Sequence, residues 1–147
     1  MRARFLLTLA IFPLTIPAPA QDWQHCKPEG SYSFTEVKEA VRRVTTSHIY
    51  FSWDEKMFSR SGDLASVAIV QTLTDKEMTS PKTLESVLGI LRAAFACTSR
   101  CVTAPSDRQP RVALLLLEHL DSNASKQMQT SIDETKKFII QQAPGVE

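Results

Sequence analysis

The residues able to do chemistry in this 147-residue chain are few: three cysteines, three histidines and an Asn-Ala-Ser triplet at 123–125. Cys26, Cys97 and Cys101 make an odd set. In an oxidising compartment two of them pair, leaving the third free or available to link a second copy into a disulfide-bonded dimer. Cys97 and Cys101 stand four apart, a spacing that would stack them on one helix face and put both within reach of a cysteine arriving from the N-terminal segment. The expected bridge is Cys26 with Cys97 or Cys101, and it would restrict the unfolded chain by about 3–4 kcal/mol. A direct Cys97–Cys101 bond is the competitor and would staple almost nothing. No Cys-x-x-Cys or His-x3-His pair completes a zinc ligand set, so no metal site is expected.

His25, His48 and His119 share no spacing with one another or with the cysteines. His119 follows Leu115 by one turn and reads as a partly buried structural histidine. There is no Gly-x-Ser-x-Gly elbow, and the four glycines form no phosphate loop. Asp54-Glu55 and Glu36/Glu39 are acid pairs better explained as solvated faces than as a cleft's acid and base. No catalytic residue and no cofactor follows from this inventory, and an enzyme is the least favoured class. Asn123-Ala124-Ser125 is an N-glycosylation sequon, and the same asparagine would also suit a helix cap. The densest run of anchor-type side chains is Tyr50, Phe51, Trp53, Met57 and Phe58, which serves either core packing or a partner-facing patch.

The meaning of cysteines and sequon depends on where the chain goes, and its start speaks to that. Arg2 and Arg4 precede an apolar stretch from Phe5 to Ile16, and Ala18-Pro19-Ala20 supplies small residues at the positions signal peptidase reads. The stretch is too short for a membrane span of about 20 residues and is broken by Pro13. Residues 1–20 therefore read as a signal peptide cleaved after Ala20, and the product as secreted and extracellular. No later run approaches spanning length. Cleavage removes two arginines and no acid, moving the formal charge from +1 to about −1. With no clustered basic face, nucleic acid is not an expected partner.

The elements that must position these residues belong to a single mature domain, 21–147, with an extended lead-in at 21–32 and a loose tail at 143–147. Ser33 and Glu36 form a capping box opening a helix whose apolar face is Phe34, Val37, Val41 and Val44. That helix ends near Thr46, and the aromatic, β-branched segment after it reads as irregular or extended. Ser59 to Asp63 reads as a loop, with Asp63 capping a helix from Leu64 to Leu73. Ser80 and Pro81 open the clearest helix, carrying Leu84, Val87, Leu88, Leu91, Ala94 and Phe95 to about Cys97. Arg111 to Leu120 is apolar nearly all round and reads as the central, most buried helix. A last helix, starting between Ser122 and Ser125, turns Met128, Ile132, Phe138 and Ile139 inward.

The architecture so assembled is all-α, a small secreted bundle of four to five helices with one disulfide. Its runner-up is an α+β domain with short strands near 49–53 and 67–70. For function the composition favours a secreted interaction protein, a cytokine- or hormone-like helical ligand for an extracellular protein partner or receptor. The alternative is an extracellular carrier of a lipid or other small apolar molecule, with Val112–Leu117 and Phe95 lining its cavity.

Overall fold

The computed structural model describes residues 32–96 and 109–142. They form seven α-helices: α1 (Phe34–Ser47), α2 (Ser52–Ser61), α3 (Asp63–Thr72), α4 (Asp75–Met78), α5 (Pro81–Phe95), α6 (Arg111–Asn123) and α7 (Lys126–Gln142). No strand occurs among the described residues, so the runner-up with strands near 49–53 and 67–70 falls away and the described fold is all-α, as expected. The signal peptide, the lead-in to residue 31, the three cysteines and the tail lie outside the described residues, and with them the expected disulfide.

Helix α1 starts as its sequence dictates. Ser33 Oγ accepts from the Glu36 amide (3.2 Å), while Glu36 Oε2 accepts from the Ser33 amide (2.6 Å), so two amides of the first turn that lack helical partners are satisfied. Val37, Ala40, Val41 and Val44 then fall on one buried face. Thr45 is buried beside them because its hydroxyl donates back to the Val41 carbonyl (2.7 Å).

The region from Ser52 to Ser61 corrects the reading of a loop before Asp63: it is a helix, and only Gly62 separates it from α3. Gly62 has φ 55° and ψ −131°, a conformation reserved for residues without a Cβ. This one residue therefore ends α2, its amide donating to the Phe58 carbonyl (3.2 Å), and launches α3 in a new direction. Helix α3 buries the small residues Ala65, Ser66 and Ala68 along with Ile69. Small side chains allow close helix approach, and α3 packs on α1, α5 and α6. Arg42 of α1 ties down its far end, donating to the Thr72 carbonyl and pairing with Glu77. Glu77 also accepts from the Thr74 amide (2.7 Å), closing a second capping box at the start of α4.

The center of the fold is α5. Leu84, Val87, Leu88, Ile90, Leu91, Ala93, Ala94 and Phe95 are all buried, and the helix packs on α1, α2, α3, α4 and α7. Pro81 occupies its first position, where no amide is needed. The helix stops at Phe95, short of the expected Cys97. Centrality therefore belongs to α5 and not to Arg111–Leu120. Helix α6 buries Ala113, Leu116, Leu117 and Leu120 but leaves Leu115 67% exposed.

Asp63 performs a task other than the one its sequence context suggests. Instead of capping α3, its carboxylate crosses to α6 and accepts from the Val112 amide (2.9 Å) and the Ala113 amide (3.0 Å). The residue at the N-cap of α6 is Pro110, whose side chain has nothing to offer. An acid brought from α3 supplies the missing acceptors and faces the positive end of the helix dipole. Asp63→Ala is expected to destabilise the bundle by about 1 kcal/mol, the usual value of a lost N-cap. Thermal unfolding followed by far-ultraviolet circular dichroism should show a midpoint lower by about 4 °C, the shift that loss produces in a domain of this size.

Candidate functional site

The turn from α1 into α2 carries the most concentrated exposure of large apolar side chains. Ile49 is 53% exposed, Tyr50 40%, Phe51 38% and Trp53 54%. The turn begins where α1 closes on His48, whose φ of 57° places it in the left-handed region. His48 donates its amide to the Val44 carbonyl (2.8 Å), and its Nδ1 lies 3.1 Å from Ser86 Oγ. The chain then runs extended through Phe51 into α2.

What holds this corner is a buried carboxylate. Asp54 is fully enclosed; it accepts from the Phe51 amide (2.9 Å) and pairs with Arg43 of α1. One acid thus caps the first turn of α2 and ties α2 to α1. Arg43 was available to Glu39 one turn before it on the same helix, but the buried partner holds it. Its guanidinium also lies over the Phe51 ring, 5.3 Å from the centroid, so the ring's negative face adds to the pairing. Phe51 and Trp53 stack on each other at 4.3 Å with 15° between their planes, and Tyr50 leans on Phe58 at 6.0 Å. Partial burial, then the nearby Glu55 and Asp54 carboxylates, push the Tyr50 phenol well above the ordinary tyrosine value.

The sequence patch divides accordingly. Tyr50, Phe51 and Trp53 are on the surface as a partner patch requires, Met57 is partly buried against the core, and Phe58 is fully buried and belongs to the core. Ile49 joins the surface group. Asp54, read as a solvated acid, is instead the group on which the corner is built. Its signal was present in the sequence: an acid three residues after Phe51 occupies the position that reaches back to an N-cap amide.

A second feature is a cleft of about 580 Å³ where the ends of four helices meet. Met78 of α4, Leu84 of α5, Leu120 of α6 and Met128 of α7 provide apolar lining; Asp75, Lys76, Thr79, His119, Asn123 and Ser125 provide polar lining. His119 is half exposed here, its Nε2 3.0 Å from Asp75 Oδ1, which corrects the expectation of a partly buried structural histidine. Asn123 sits in the last turn of α6, its Nδ2 donating to the His119 carbonyl (3.1 Å), and the cap position that follows is held by Ala124. The residues expected to line a carrier's cavity are elsewhere: Phe95, Ala113, Leu116 and Leu117 are packed in the core, and Leu115 faces out.

No group of three histidines, cysteines or acids able to hold a metal occurs among the described residues, and no described helix is long and apolar enough to cross a membrane. No family model, curated protein or solved structure matches the chain.

Two outcomes follow from the corner's geometry. Asp54→Ala leaves Arg43 without its carboxylate and the Phe51 amide without its acceptor. Breaking a buried pair in this way destabilises by about 3–5 kcal/mol, and the partial exposure of Arg43 places this case at the low end, about 3 kcal/mol, measurable by urea unfolding. Tyr50 contributes a part of the stability that depends on alkaline pH. Its folded value is raised, so the unfolded chain gives up the phenolic proton first, and the stability this group contributes is fully present below pH 10 and is lost as pH rises beyond it. Tyr50→Phe should flatten that alkaline loss in unfolding curves recorded from pH 8 upward.

Proposed function

We propose that this chain is exported, cleaved after Ala20, bridged through Cys26 with Cys97 or Cys101, and glycosylated at Asn123. It acts as an extracellular interaction protein, a helical ligand that docks on a protein partner through the corner formed by Ile49, Tyr50, Phe51 and Trp53. The observation that carries the docking reading is the exposure of these four side chains on one turn, held in place by the buried Asp54–Arg43 pair. Exposed apolar groups that adjoin one another are unfavourable in water and mark surfaces that become covered. Aromatic anchors already held in position are the side chains that dominate binding energy at interface centres. The chemistry of the partner follows: a protein surface with an apolar pocket able to take the Trp53 ring and the stacked face of Phe51.

Fluorescently labelled secreted protein, titrated onto cultured cells, provides the test. Saturable binding is expected, weakened at least tenfold by Trp53→Ala and by Ile49→Ser, because the loss of an anchor typically removes about 1–2 kcal/mol or more. Val70→Ser and Leu115→Ser, which alter apolar residues exposed elsewhere, should leave it unchanged. Equal binding by all four variants overturns the assignment of the corner. A concentration-dependent dimer lost in the Trp53 variant identifies a second copy of the chain as the occupant and overturns the hetero-partner reading.

A further inference from the structure

We propose that an N-linked glycan on Asn123 lies back into the cleft between the ends of α4, α5, α6 and α7, its first sugar residues covering Met78, Leu84, Leu120 and Met128. This rests on the export reading, since the modification is made only along that route. In the transfer the Asn123 amide nitrogen bonds to the anomeric carbon of a lipid-pyrophosphate-linked oligosaccharide. The lipid pyrophosphate leaves with the electrons of the broken C–O bond, and the nitrogen gives up one of its two protons.

The site is built for this. Asn123, the last residue of α6, and Ser125, immediately before α7, are both exposed, and Ala124 between them is extended (φ −90°, ψ 154°) and packs partly buried against the core. Asn123 and Ser125 are themselves part of the cleft's lining, so the linkage starts at its rim. The hydrogen bond from Asn123 Nδ2 to the His119 carbonyl holds the amide against the end of α6. Glycosylation replaces one amide hydrogen and leaves the other, so Asn123 Nδ2 keeps one donor for the His119 carbonyl. The cleft's volume of about 580 Å³ falls in the usual range of small-ligand sites, about 300–1,000 Å³. Its lining is also of two kinds, as a hexosamine requires: an apolar floor for the ring's C–H face, and Thr79, Asp75 and His119 for its hydroxyls. Met78, Leu84 and Leu120 are already buried, so the apolar surface the sugar takes from water is chiefly that of the partly buried Met128; it does so only in the folded state, and the glycan therefore stabilises the fold.

The test uses the full chain with its leader, expressed in an animal cell line and recovered from the medium. Three forms are compared: glycan intact, trimmed to a single N-acetylglucosamine by an endoglycosidase, and absent through Ser125→Ala, which keeps Asn123. The expected result is a mass increment in the first two only, thermal midpoints equal in the intact and trimmed forms, and a midpoint about 4 °C lower in the third. Fluorescence of an apolar-surface dye should rise only when the last sugar is gone. Met128→Lys, which leaves the sequon untouched, should carry the glycan yet lose the difference in midpoint. Equal midpoints and dye signals in all three forms overturn the proposal, because the glycan then points away from the cleft. Secretion at full yield with no mass increment also overturns it while leaving the export reading intact. Failure to reach the medium, with the leader uncleaved, overturns both. A small molecule found by native mass spectrometry and displaced by Met128→Lys assigns the cleft to a carried ligand instead.

Discussion

Burial of α5 is the constraint from which the rest of the arrangement follows. A helix whose apolar residues extend around most of its circumference has to be surrounded, and in a chain this short every neighbour must be recruited from close by in sequence. Helices α1, α2, α3, α4 and α7 all lie against it, while α6 reaches the core through α3 and α7. Each fully buried aliphatic side chain in that center contributes about 1.5–3 kcal/mol over its exposed state. Connections between the surrounding helices are correspondingly short, down to Gly62 alone between α2 and α3. Short connections leave helix ends beside other helices rather than in open water, and the orphaned amides and carbonyls there must find partners within the protein.

The long-range polar contacts answer that need. Asp63 satisfies amides of α6 from α3, Arg42 reaches the last carbonyl of α3 from α1, and Asp54 ties the first turn of α2 to α1 through Arg43. Arg92 of α5 makes a different join, side chain to side chain, donating to Thr135 Oγ1 in the middle of α7 (3.0 Å). Asp63, Arg42 and Arg43 each serve a helix other than their own, while Asp54 also caps its own. The bundle is therefore joined at the helix ends by hydrogen bonds and along the helix faces by apolar packing.

This division explains what was legible in the sequence. The Ser33–Glu36 box and the apolar stripes of α1 and α5 are local patterns, and they appear where spacing puts them. Helix α2 escaped because its sequence, SWDEKMFSRS, follows an aromatic and β-branched run and ends in serines, all signals of strand or loop. Tertiary context overrides them, since Phe58 is drawn into the core and Asp54 caps the start. The role of Asp63 was not readable locally, because its recipients lie 49 and 50 residues away. The leucines of α6 mislead when read as a helix buried all round. Residues along a helix turn about 100° at each step, so four in succession sweep nearly the whole circumference and one must face out. Leu115 is that one.

The corner at Ile49–Trp53 gathers several unfavourable terms in one place. A non-glycine residue in the left-handed region, here His48, costs on the order of 1 kcal/mol, although histidine tolerates it better than most. A carboxylate is enclosed beside it, and large apolar side chains face water immediately after it. Core packing alone asks for none of these, since Phe58 already fills the interior at that point. The same terms make the corner rigid: the His48 amide and ring are both tied, Asp54 fixes the Phe51 backbone, Arg43 overlies the Phe51 ring, and Trp53 stacks on its far neighbour. Immobilising a flexible side chain on binding costs about 0.5–1.5 kcal/mol, and side chains already held in place avoid most of it. On the proposed docking reading, then, the strain at His48 and the burial of Asp54 are what prepare the aromatic surface for a partner, and relaxing either would weaken binding without removing a single contact residue.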